Sequence, residues 1–120
     1  MKRLISLSIL FVLFAFISNT SAQQILHGTF KADINSEGFT LDKNSGDRIY
    51  TMYVKFEKGF EKTPSIILGV NKLDSSKDTN TRFEVMADGV SRDGFTIKIK
   101  TWSDSKIFGI GGNWIAFPEQ

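Results

Sequence analysis

The chain has 120 residues, with 15 Lys and Arg, 13 Asp and Glu, a single His and no Cys. The near balance of charge excludes the clustered cationic footprint that nucleic acid requires, and gives no pull toward anionic membranes. Without cysteine there is no thiol nucleophile, no thiolate metal site and no disulfide, so an exported form must be held by its core or by assembly with other chains.

The first element is an export signal. Met1-Lys2-Arg3 supplies positive charge, Leu4 to Ile17 an uncharged and mostly apolar run, and Thr20 and Ala22 the small residues before a cut at Gln23. The apolar run is short of the roughly 20 residues that a spanning helix needs, so a signal peptide at 1–22 is expected and membrane insertion is not. Its loss removes Lys2 and Arg3 and no acidic residue, which leaves basic and acidic groups equal in number. The expected destination is extracellular, periplasmic or the cell surface, and residues 23–120 suffice for one domain.

The remaining elements read as strands. Leu26 to Ala32 is a first, weak one, and Asn35 to Asp47, rich in Asn, Ser, Gly and Asp, reads mostly as loop. Arg48 to Phe56 alternates, with Tyr50, Met52, Val54 and Phe56 on one face. Pro64 opens a third strand, Ser65 to Val70, and Leu73 to Asn80 reads as a polar loop. Thr81 to Ala87 places Phe83, Val85 and Ala87 inward, with Arg82, Glu84 and Met86 outward. After the turn at Asp88 to Gly94, Phe95, Ile97, Ile99 and Thr101 share a core face, and Thr96, Lys98, Lys100 and Trp102 share the wet one. Ile107 to Phe117 closes the chain, with Phe108, Ile110, Trp114 and Ala116 on one parity and Trp114 expected in the core. There is no helical periodicity and no repeat in this part, so the residues predict one all-β domain of about six strands, a sandwich or barrel.

Candidate chemistry is sparse. His27 stands near the new N-terminus, where a Ser-His-Asp arrangement would have to use it. Asp42, Asp47, Asp74, Asp78, Asp93 and Asp104 are open to a carboxylate glycosidase or, more simply, are solvated turn formers. Asp74, Asp78 and Asn80 lack the spacing of a calcium loop, and no metal or other cofactor is expected. Two residues stand out. Trp102 is a large aromatic on a solvent face beside a polar turn, a platform for a ligand with apolar and polar surface. Arg82, outward on its strand, carries a rigid fork of donors suited to hydroxyl pairs, or else forms a surface ion pair with Glu84 or Asp104.

From about Gly46 to Ala116 the chain resembles the H-type lectin domain of snail agglutinins and of the C-terminal end of slime-mould discoidins. The resemblance is carried by Phe56, Pro64, Leu73-Asp74, Asn80-Thr81-Arg82, Gly94-Phe95, Thr101 through Phe108, and Asn113-Trp114-Ile115-Ala116, in that order. It implies a six-stranded antiparallel β-sandwich that assembles as a homotrimer and is not an enzyme. It implies binding of galactose-type sugars, above all N-acetylgalactosamine, between adjacent protomers. On this resemblance one protomer offers Arg82 and, from the loop before the second strand, Gly46 and Asp47. Its neighbour offers Trp102, Ser103 and Phe108.

Two positions depart from the snail agglutinin. Ser103 stands where that protein has histidine, and Phe108 where it has tyrosine. Phe108 keeps the ring and loses the hydroxyl, and Ser103 replaces an imidazole by a shorter hydroxyl, so both change the hydrogen bonds on offer. A secreted adhesion or assembly module that keeps the sandwich without binding sugar is therefore the second expectation.

Overall fold

The computed structural model describes residues 24–119, and the expected signal peptide lies outside them. Among the described residues there are six strands: β1 (Leu26–Asp33), β2 (Arg48–Lys55), β3 (Ser65–Ser75), β4 (Phe83–Asp88), β5 (Gly94–Thr101) and β6 (Ile107–Phe117). They form two three-stranded sheets, ordered β1-β6-β3 and β2-β5-β4, with every pairing antiparallel. The alternating runs left a sandwich or a barrel open; the six-stranded antiparallel sandwich that the resemblance implies is the architecture found.

The central strands carry the most apolar inner faces. Phe95, Ile97 and Ile99 of β5 meet Ile107, Ile110, Trp114 and Ala116 of β6, with Phe30 and Ala32 of β1 completing the contact. Each large apolar side chain removed from water contributes about 1.5–3 kcal/mol, enough to specify which face turns inward and hence the register. Trp114 is 8% exposed and packs edge-on to Phe95 at 5.5 Å, as its place in an apolar run predicts. Gly28 makes room for it: a Cβ there would stand 2.6 Å from the indole nitrogen.

Three features differ from the sequence expectation. β3 runs on to Ser75, so Leu73 and Asp74 are strand residues rather than loop; the ladder against β6 continues past a bulge between Val70 and Lys72 and pairs them with Ile110 and Gly109. A second irregularity skips Phe108, since Asp74 pairs with Gly109 and Ser75 with Ile107. That extra residue resets the alternation. Ile107 and Ile110 are both buried while Phe108 is 38% exposed, so Phe108 does not share the inward parity of Ile110 and Trp114. Third, the long β1–β2 connection is irregular as expected, yet it contributes buried Phe39 and Leu41 to the core. Phe39 packs on Tyr50 at 5.5 Å, and the Leu41 carbonyl accepts the Ile107 amide.

The β3 flank is less well covered. Ile66 and Leu68 are only partly buried, and Val70 and Leu73 are 39% and 40% exposed. At one end of the sandwich, the start of β2, the end of β5 and the start of β4 lie side by side, and the candidate residues collect there.

Candidate functional site

The register places three candidates in one line. Arg48 of β2 pairs with Thr101 of β5, and Thr101 pairs in turn with Phe83 of β4. One residue beyond that row, just outside the ends of the same three strands, stand Asp47, Trp102 and Arg82. Alternation turns them to the side opposite buried Arg48 and Thr101: Asp47 and Arg82 are exposed and Trp102 is partly so. Neighbouring strands are about 4.8 Å apart, so an aromatic, a carboxylate and a guanidinium leave the ends of adjacent strands at this end of the sheet. Residues separated by as many as 55 positions in the sequence thus form one polar–aromatic–polar strip.

Two buried hydroxyls fix the Arg82 end. Ser105 Oγ accepts the Arg82 amide at 2.8 Å and donates to the Asn80 carbonyl at 2.6 Å. Thr101 Oγ1 donates to the Arg82 carbonyl at 2.6 Å. Both side chains are fully buried, where an unpaired polar group would be costly, so these bonds define the path of the chain into β4.

The other end is fixed by Arg48, 7% exposed. Its Nε donates to the Gly46 carbonyl at 3.0 Å. Nη1 donates to the carbonyls of Ser105, Lys43 and Leu41 at 2.7, 2.9 and 3.3 Å, and Nη2 to that of Ser103 at 3.1 Å. The Gly46 amide also donates to the Ser103 carbonyl at 2.9 Å. Three residues here have left-handed backbone, Asn44 at φ 60°, Gly46 at φ 80° and Ser103 at φ 59°. Glycine takes this without penalty. Serine does not, and its conformation persists because two donors hold its carbonyl.

Both charges of the strip have partners within the protomer. Arg82 Nη1 lies 3.6 Å from Asp104 Oδ1, and Lys100 Nζ lies 3.5 Å from Asp47 Oδ2. The Lys106 ammonium donates to the Asn44 carbonyl, adding a link between the two loops. The pairs are half-exposed and contribute little to stability, about 0–1 kcal/mol each, so an incoming ligand can compete for them.

The structure therefore brings Gly46, Asp47, Arg82, Trp102 and Ser103 to one end of one sheet. Phe108 follows on β6 in the facing sheet, with its ring partly exposed and its carbonyl accepting the Ile34 amide at 3.1 Å. Arg48, Thr101 and Ser105 are the residues that a reading of the chain missed as part of this end. The alternation of β2 marks Arg48 only as a polar residue opening a strand, and no local pattern says where a guanidinium is buried. Of the remaining acidic candidates, Asp104 stays at this end beside Arg82. Asp93 lies in the β4–β5 turn at the opposite end and Asp74 within β3. Among the described residues no three His, Cys, Asp or Glu side chains converge as a metal-holding group.

The H-type lectin domain matches residues 51–117, more than half of the chain. The chain belongs to the H-type lectin family. A protein described as ATP synthase subunits region ORF 7, from Fuscovulum blasticum, is 31% identical over 81 residues, which cover 68% of this chain and 70% of that one. A discoidin-1 polypeptide of Dictyostelium discoideum is 30% identical over 87 residues, 71% of this chain and 34% of the discoidin. The fold agrees with that of discoidin II from the same organism. The native recombinant structure superposes with a TM-score of 0.71 at 21% identity, over 82% of this chain and 38% of that one. The wild-type structure superposes at 0.72, also with 21% identity, over 83% and 38%. This H-type lectin domain thus spans little more than a third of the discoidins it matches.

Proposed function

We propose that the mature protein is a secreted, non-enzymatic lectin for galactose-type sugars, with N-acetylgalactosamine the first to test, made multivalent by trimerisation. The observation that carries this is the strip Asp47–Trp102–Arg82 at the end of β2-β5-β4. A pyranose has a patch of C–H groups and a rim of hydroxyls. In a site shared between protomers one chain's indole covers the patch, while its neighbour's carboxylate and guanidinium select hydroxyl orientation, because a wrong epimer leaves desolvated polar groups unpaired.

In the proposed assembly each protomer serves two sites. It gives Arg82, Asp47 and Gly46 to one, and Trp102, Ser103 and Phe108 to the next. The half-covered apolar side chains of β3 support assembly, since a neighbour would remove Val70 and Leu73 from water. A single shallow site of this kind binds near millimolar, roughly −4 kcal/mol, and three on one particle gain orders of magnitude on a dense glycan surface. Export before binding follows from the expected signal peptide.

Glycan-array binding by purified mature protein tests the reading, with Trp102→Ala as control. Loss of binding in the variant is expected, and equal binding by both proteins would remove the site. Co-expression of Arg82→Ala with Trp102→Ala chains tests the sharing between protomers. Mixed trimers regain some intact sites if each site draws on two protomers, and none if each protomer holds its own.

The second reading is an assembly or adhesion module without sugar affinity. Asp104 beside Arg82 favours it, as do Ser103, shorter in reach than a histidine, and Phe108, which lacks a tyrosine's hydroxyl. A trimer by light scattering with no glycan signal would select it.

A further inference from the structure

We propose that Arg48 is a positioning residue for the sugar site, a buried cation that holds both site-bearing loops in one fixed relation; this rests on the lectin reading above. The loop from Ile34 to Asp47 and the turn from Trp102 to Lys106 have no ladder partners of their own, so their carbonyls need donors from elsewhere. Arg48 supplies them from a single rigid plane. Three of its acceptors, Leu41, Lys43 and Gly46, belong to the first loop, and two, Ser103 and Ser105, to the second.

The chosen peptides are those beside the strip. The Gly46 carbonyl belongs to the peptide that enters Asp47, and the Ser103 carbonyl to the peptide leaving the residue after Trp102. Arg48 forms none of the ion pairs found among the described residues, which join Lys31 to Asp33, Arg82 to Asp104 and Lys100 to Asp47. Its charge is satisfied by carbonyl dipoles alone. A carboxylate partner would have anchored it to one side chain. Carbonyls tie it to main chain on two separate segments, and that arrangement fixes geometry at the strip. Lysine cannot replace it, because a compact ammonium has three donors and no fork to span five acceptors.

The test compares wild type with Arg48→Lys, which keeps the charge and every residue of the strip. Affinity for N-acetylgalactosamine is measured by calorimetry well below the melting range, and amide exchange with and without saturating sugar. The expected result is at least a tenfold loss of affinity and at least a tenfold faster exchange of the Gly46 amide. Amides of the β5 and β6 ladders should keep wild-type protection, and saturating sugar should restore protection at Gly46. That restoration separates positioning from a general weakening of the fold.

Wild-type affinity in Arg48→Lys would overturn the proposal. So would a loss matched by faster exchange throughout β5 and β6. Should the variant fail to fold, the Arg48 Nε–H resonance of the wild-type protein decides: a shift on sugar titration is expected, and an unmoved signal at saturation overturns the role. Absence of sugar binding by the wild type sinks the lectin reading itself. In that event wild-type exchange at Gly46 in Arg48→Lys would also remove the link between loops, and faster exchange would uphold it.

Discussion

The two ends of the sandwich are held together by different physics. At one end Phe56, Phe60, Phe95 and Trp114 form an aromatic cluster with ring centroids 5.2 to 6.0 Å apart. The turns there need few bonds beyond those from the Phe56 and Phe60 amides to the carbonyls of Asp93 and Arg92, both 2.9 Å. At the other end Arg48, Thr101 and Ser105 are buried polar side chains bonded to main chain on separate segments. Apolar packing is strong and non-directional; hydrogen bonds contribute less but fix position. Apolar side chains, Leu41 and Ile107 among them, are buried toward the second end too, and there the buried polar groups also fix the main chain beside Asp47, Trp102 and Arg82.

This contrast is open to attack from either side. Trp114→Ala should show the largest effect, a loss of about 3–5 kcal/mol in urea unfolding, because it leaves a cavity under Phe56 and Phe95. Trp102→Ala should change stability by about 1 kcal/mol or less while removing sugar binding, the reverse division of effects. If the two tryptophan variants unfold alike, the proposed separation of roles fails.

Ser105→Ala comes next. It strips a partner from the Arg82 amide and from the Asn80 carbonyl, and should cost about 1–3 kcal/mol. Because those bonds set the entry into β4, sugar affinity should fall with stability. Full affinity in this variant would show that Arg82 is placed by something other than the buried hydroxyl. Ser103→Gly should act in the opposite direction, gaining about 1 kcal/mol in thermal unfolding by relieving the left-handed backbone, unless the freedom it gives the unfolded chain offsets the gain.

The smallest effect belongs to Asp104→Asn. Its pair with Arg82 is half-exposed, so stability should move by about 0.5 kcal/mol or less. Affinity is the sharper measurement. If Asp104 competes with sugar for the guanidinium, the variant binds a few times more tightly in calorimetry. If Asp104 instead orients Arg82, it binds more weakly.

Much of the fold was legible because strand alternation has a period of two and buried faces enforce it. Phe95, Ile97, Ile99 and Thr101 alternate with Thr96, Lys98 and Lys100, and the inward set is the one buried. The expectation failed where the ladder is irregular. Gly109, Gly111 and Gly112 point to a bulge or close backbone approach in the last strand, and the ladder is irregular beside Gly109. They do not say that Phe108 turns outward, and nothing local marks the extension of β3 through Leu73 and Asp74. Phe39 and Leu41 were hidden in a polar stretch, because whether a loop side chain reaches the core depends on where the loop lands.

The same division runs through the candidate site. Trp102 and Arg82 announce themselves singly, as an aromatic and a cation on solvent-facing parity, and a resemblance carried by ordered motifs joins them to Asp47. That much the amino-acid order determines by itself, since side-chain direction and chemistry are local properties. Only the tertiary structure decided that the three stand in one row, and that Arg48 is buried among five carbonyls. Those facts depend on strand pairings and hydrogen bonds between residues as many as 57 positions apart in the chain, and such contacts are set by the whole core rather than by any window of sequence.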